Sequence, residues 1–358
     1  MPTHAQPSRT GRRARLSAAV ATAAMVLGAG LLVAGHRDAP AGTAGPGPGG
    51  TGTPDTAGGA ADAGALTGRA LYVDPTGAAA EQVRAWEAVG RTADAEVVRR
   101  IAGRPVATWF ADDVSATRAG RLAADANRAG QVPVLTLYFI PERDCAGQSA
   151  GGAADGAAYR AWVQSIAAAL RDRQAVVVLE PDAVAQAVQG CLSGPAAVLE
   201  RYALLRHAVT TLRAIPGVVV YLDAGNPSWI REPDRMATAL RRAGVARAHG
   251  FALNVANFET TAANVAYGTA LSGLLGGAHF VVDTSRNGNG PAQIGAGDRH
   301  WCNPPGRRLG EAPTTRTGHR LVDAYLWIKR PGESDGACTD DAPPAGVWWP
   351  EYALELAR

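Results

Sequence analysis

Eight short apolar runs recur between residues 70 and 329: ALYV, RPVATWF, VPVLTLYF, AVVVLE, GVVVYL, GFALNV, HFVVD and YLWIK. Runs this short, rich in Val, Leu and aromatic residues and bounded by Gly or Pro, predict strands buried on both faces. The Ala/Arg/Leu-rich stretches between them have helical character, and the alternation of strand and helix predicts an α/β fold with a parallel sheet. Because it fills nearly all of the chain from Gly68 onward, one closed or nearly closed (β/α) barrel of seven to eight strands is expected rather than two domains. No intact GxGxxG follows any run, and RNGNGPAQ fails the spacing, so the pattern does not point to a dinucleotide.

The polar residues at the ends of the runs change the picture. The runs stop at Asp74; at Trp109 with Asp112 and Asp113; at Tyr138 with Arg143 and Asp144; and at Glu180 with Asp182. The later ones stop at Asp223 with Asn226; Asn254 with Asn257; Asp283 with Arg286 and Asn287; and Lys329 with Glu333 and Asp335. A barrel gathers its strand C-termini on one face, so these residues converge there. Turns attract Asp and Asn in any protein, but that preference does not supply Trp109, Tyr138, Trp229 and Trp301 as well. A cleft lined by carboxylates and aromatic rings suits a polysaccharide, whose C–H faces stack on Trp and whose hydroxyls pair with charged groups. Paired carboxyls cleave glycosidic bonds, and crowding raises one carboxyl's pKa so that it stays protonated as an acid. The seven histidines are scattered rather than clustered at strand ends, so neither a zinc site nor any other metal or cofactor is expected.

Outside this region the chain reads differently. Arg9, Arg12, Arg13 and Arg15 precede an apolar run over residues 16–34, a charged region followed by a hydrophobic one. Residues 1–35 are therefore expected to be a signal peptide or, since about 20 residues span a bilayer, an uncleaved membrane anchor. The Arg12-Arg13 pair is a weak twin-arginine signal. Residues 36–67, rich in Gly, Ala, Pro and Thr, read as a linker, leaving 68–358 as the catalytic domain. An exported chain with four cysteines favours two disulfides; three pairings are open, and the sequential one, Cys145–Cys191 with Cys302–Cys338, is preferred. A formal charge of +3, with basic and acidic residues interspersed, excludes a nucleic-acid partner.

YFIPERDCAGQSAGGA at residues 138–153, VVVLEPDA, VYLDAGNPSW, LNVANF, DTSRNG, WCNPPG and LWIKRPGESDG together resemble glycoside hydrolase family 6, the inverting cellulases. The resemblance runs in order from Tyr72 to Ala357. It implies a distorted parallel α/β barrel and hydrolysis of β-1,4-glucan with inversion by a secreted monomer, tethered if the anchor is retained. It further implies Asp182 as the general acid, Asp144 as the carboxyl that keeps this acid protonated, and Tyr138 beneath the reacting ring. Ser149 then positions the attacking water, and Asp335 corresponds to the proposed base. Trp109 and Trp301 resemble glycone-side platforms and Trp229 the aglycone-side one; Lys329 and Glu333 resemble a pair gripping sugar hydroxyls, with Arg143 and Asn257 as further contacts.

Several positions carry their own information. Lys329 is the only lysine among 35 basic residues, which suggests a demand for a compact ammonium at that strand end. Asn226 stands where some family members carry His, so aglycone contacts are expected to differ. Glu180 is expected to support the site rather than act as acid, Asp223 to be structural, and Trp348 and Trp349 to be core. Only the short TDDAPPAG separates Cys338 from the last segment, so an open cleft and endo action are expected. The alternatives are an exo-acting cellobiohydrolase of the same family and an inactive glucan-binding protein; the latter is disfavoured because both Asp182 and Asp144 are present.

Overall fold

The computed structural model describes residues 64–293 and 300–358. The expected export segment and most of the expected linker lie outside these residues. The hairpin α1 (Ala78–Ala88) and α2 (Thr92–Ala102) leads into β1 (Thr108–Phe110), α3 (Ser115–Arg128), β2 (Val134–Leu137), α4 (Gly156–Ala169) and β3 (Ala175–Leu179). Next come α5 (Ala183–Gln189), α6 (Pro195–Arg213), β4 (Val218–Asp223), α7 (Pro233–Ala243), β5 (Gly250–Leu253) and α8 (Thr261–Leu274). The chain ends with β6 (His279–Asp283), β7 (Val322–Leu326) and α9 (Pro350–Ala357).

All neighbouring strands pair in parallel, in the order β1 to β7. The sheet curls but does not close. Between its two edges run one backbone hydrogen bond, Ala107 N–H to the Trp327 carbonyl at 2.9 Å, and the Trp109 indole N–H to the Ile328 carbonyl at 2.8 Å. Two segments carry the reason: β1 has only three residues, and the first apolar run, ALYV, forms no strand. Leu71 makes a single parallel bridge to Val132 just ahead of β2.

Alternation along the strands separates two cores. Val134, Val176, Val178, Val219, Tyr221, Ala252, Val281, Ala324 and Leu326 point inward, while Leu135, Val177, Val220, Phe251 and Phe280 pack outward against the helices. Leu66 is fully buried with the inward set, so buried chain begins ahead of the boundary expected at Gly68. Near the strand N-termini, buried Asp323 accepts from the Tyr221 hydroxyl at 2.6 Å and lies 2.7 Å from His279 Nδ1. Trp348 and Trp349, expected as core, are half-buried; Trp348 packs on the cluster between the α1–α2 hairpin and α9 and donates to Gln82 at 3.1 Å.

Candidate active site

The β3 run ends because the backbone must turn sharply. Glu180 and Asp182 both adopt left-handed φ, 50° and 70°, a conformation costly outside glycine that persists where its surroundings enforce it. Glu180 is fully buried and points inward behind the site: its carboxylate accepts from Phe139 N–H at 3.0 Å and Ile140 N–H at 3.1 Å. Burial pushes it up to about 7 against those hydrogen bonds. Asp182 faces the cleft, with its own N–H held by the Asp223 carboxylate at 2.9 Å.

Three carboxyls, Asp182, Asp223 and Asp144, cluster on this side. Burial first, then Asp223, then Asp144 push Asp182 well above the ordinary aspartate range, opposed by a hydrogen bond with Tyr138. Asp223 is buried, raised to about 7 mainly by burial, and one of its oxygens, Oδ1, has no hydrogen-bond partner among the described residues. Asp144 is also raised by burial, partly offset by the Ser149 N–H at 2.6 Å and by Arg143. Buried Tyr138 lies edge-on to Trp109 at 5.3 Å, with the Arg143 guanidinium 4.7 Å from its ring centroid.

The opposite side is cationic. Asp335 pairs with fully buried Arg286 at 2.8 Å and with Lys329 at 3.2 Å, and exchanges two hydrogen bonds with Asn303. Burial alone would raise its pKa, but Arg286 and Lys329 together bring it below the ordinary range. Arg286 is itself braced by the Ala256 carbonyl and by the Phe258 ring, 4.4 Å from its guanidinium carbon. The sequence places Arg286 at the cleft face without assigning it a role, because a buried arginine in sequence looks like any surface one. Asp283, likewise placed at that face without a role, is buried and accepts from the N–H groups of Ser285, Lys329, Ala256 and Ile328, tying the turns after β5, β6 and β7 together.

Several expected substrate contacts prove to be occupied within the protein. Arg143 donates to the carbonyls of Ser149, Tyr138 and Ala111, so it braces the loop after β2. Asn226 is buried and accepts from the N–H groups of Ser228 and Trp229, so it aims Trp229. Lys329 donates to the Ser334 carbonyl and contacts Asp335, while Glu333 pairs with Arg330. Asn257 bonds the Val255 carbonyl. Trp301 is 40 % exposed, as a stacking platform requires, and Trp109 and Trp229 are half-buried.

Two disulfides pin the rim, Cys145–Cys191 and Cys302–Cys338, in the sequential pairing. The first fixes the loop over residues 142–146, in which Glu142, Asp144, Cys145 and Ala146 all have φ between 44° and 69°. Beyond it Gln148 lies against Gly336, where a Cβ would come within 2.6 Å of the glutamine side chain. The loop after β2 thus reaches the loop after β7 over the short β1.

The glycosyl hydrolases family 6 model matches residues 66–358, four-fifths of the chain and every residue of the site. The chain belongs to this family. It is 42% identical to Endoglucanase A of Cellulomonas fimi over 292 residues, 80% of the chain and 61% of that protein, so it spans about three-fifths of this relative's length. It is also 42% identical to Endoglucanase 1 of Streptomyces halstedii, covering 88% of it. The fold is similar to that of the endoglucanase Cel6 from Mycobacterium tuberculosis: TM-score 0.77 and 44% identity, over 82% of this chain and 98% of that one. Against the cellobiohydrolase Cel6A from Chaetomium thermophilum the TM-score is 0.72 and the identity 27%, again over 82% and 98%. The curled, open seven-stranded sheet is the distorted barrel of family 6.

Proposed function

We propose that this family 6 glycosidase hydrolyses internal bonds of cellulose or a related β-1,4-glucan with inversion. The observation that carries the reading is the opposite treatment of two carboxyls facing one cleft. Asp182 is held protonated by burial and by Asp223 and Asp144, while Asp335 is held ionised by Arg286 and Lys329. Pushing paired titratable groups apart assigns acid and base. Asp182 delivers its proton to the leaving oxygen as positive charge develops on the sugar, and Asp144 stabilises that charge. Asp335 draws a proton from water on the other side, directly or through further waters, with the Ser149 hydroxyl orienting them. A base held ionised by two cations is weak, which fits a reaction whose transition state is dominated by departure of the leaving group.

The substrate class is supported by the M. tuberculosis relative, whose structure holds a methyl-cellobiosyl-thio-cellobioside. Endo action is supported by identities of 41 to 44% to bacterial endoglucanases, against 27 to 33% to cellobiohydrolases, and by the short segment after Cys338. Export, with release or retention at the membrane, rests on residues 1–35. The test is to incubate the full chain and its Asp182→Asn variant with soluble carboxymethyl-cellulose and follow viscosity and reducing ends. A fast viscosity fall with few new ends, absent in the variant, is the expected result. New ends without a viscosity fall would mean exo action, and no cleavage of any β-1,4-glucan would overturn the reading.

A further inference from the structure

Helices that return from the strand C-termini end at the opposite face of the barrel, and that face is rich in arginine. Arg171 and Arg173 follow α4, Arg242 sits in the last turn of α7, Arg247 lies just beyond it, and Arg316 and Arg320 precede β7. Five of the six are exposed and Arg173 is half-buried. None of them forms an ion pair among the described residues. Among the described residues the acidic groups nearby do not balance them: Asp125 is paired with Arg128, Asp323 is buried, and Asp172 stands beside Arg171. Helix dipoles favour a cation in a last turn and account for Arg242; Arg173, Arg316 and Arg320 lie outside helices and need another reason.

The chain enters the barrel at this same end. Ala70 and Tyr72 bond Val132 just ahead of β2, the Arg69 carbonyl accepts from Thr315 at 3.1 Å, and Leu66 fills the interior. The sequence before residue 64 contains the apolar run 16–34 and the Gly/Ala/Pro/Thr-rich stretch that follows it. The described chain therefore begins on the arginine side, opposite the cleft.

We propose that this arginine-rich end is a docking face for an anionic phospholipid surface, seating the barrel with its cleft turned outward. Guanidinium groups match phosphate geometry, and basic residues near an anionic leaflet each add to the attraction within a Debye length. The inference is independent of the bond the cleft hydrolyses, so its failure leaves the glucanase reading intact.

The test compares the full chain with a quadruple variant, Arg242→Gln, Arg247→Gln, Arg316→Gln and Arg320→Gln, by flotation with vesicles of phosphatidylcholine alone or with phosphatidylglycerol. The expected result is at least a roughly tenfold preference for the anionic vesicles at low salt. High salt should abolish it and the variant should have lost most of it, with hydrolysis of soluble glucan unchanged. Equal partition onto both vesicles overturns the proposal. So does a preference that the variant keeps in full, which would belong to Arg9, Arg12, Arg13 and Arg15. A difference between the two chains on an anionic polysaccharide but not on vesicles overturns it by naming another partner. If the quadruple variant loses hydrolysis, the pair Arg316→Gln and Arg320→Gln, outside any helix, is measured in its place, with half the preference gone as the supporting outcome.

Discussion

On the proposed mechanism Asp144 acts through its charge on Asp182, the acid, and Asp335 as the base held ionised by Arg286 and Lys329, so the signs can be worked out at the residue scale. Asp182 works protonated, so activity falls as pH rises through its pKa. Asp144 is one of the groups raising that pKa. Asp144→Asn should therefore move the alkaline limb of kcat/KM to lower pH as well as reduce its height, measured on soluble glucan across the pH range; a lower profile with an unmoved limb would mean that Asp144 acts on the sugar alone. Asp182→Asn removes the proton donor itself, and a loss of about 10²–10⁴-fold in kcat is expected with folding intact. Lys329→Met takes one of two cations from Asp335, whose acidic limb should then rise while Arg286 keeps it ionised near neutrality.

At the scale of elements, the strands were legible because a parallel strand buried on both faces writes itself as a continuous apolar run. Seven of the eight runs are strands. The eighth fails because Leu71 has one partner segment and no second neighbour. The carboxyls and tryptophans of the rim could be read as strand ends. What they bond to could not, because Arg143, Asn226 and Lys329 spend their donors and acceptors on segments set by turn geometry. The loop after β2 shows how tight that geometry is. Gly152, at φ 97°, would place a Cβ 2.0 Å from the Ile140 carbonyl oxygen, so Gly152→Ala should cost more than about 2 kcal/mol. Chemical denaturation checks this, with glucan hydrolysis falling in step if the loop is displaced. Replacing Cys145 and Cys191 together by Ser releases a closure of 46 residues, for which chain entropy assigns about 4 kcal/mol. The same loop carries Asp144 and Ser149, so kcat should fall in the still-folded variant.

Over the whole molecule, the buried carboxyls that serve the site also set how stability depends on pH. Glu180 rises from an ordinary value of about 4.5 to about 7 on folding, chiefly through burial, and Asp223 reaches about 7 for the same first reason. A carboxyl whose folded pKa is raised binds a proton more tightly in the native state. Its contribution is whole below the unfolded pKa and is lost as pH climbs through the folded one. Asp335 has the opposite sign: its pKa is lowered, so its contribution is lost only in acid, below this window. The thermal midpoint should therefore decline between about pH 4.5 and 7 as Glu180 and Asp223 lose their protons. Glu180→Gln, whose amide mimics the neutral acid and keeps an oxygen for the Phe139 and Ile140 N–H groups, should leave the midpoint in acid nearly unchanged and flatten the decline. Calorimetry of both chains across that range decides it. A parallel downward shift with an unchanged slope would mean that Glu180 carries its charge in the native state throughout, and that burial behind the active site is not the force that sets its proton.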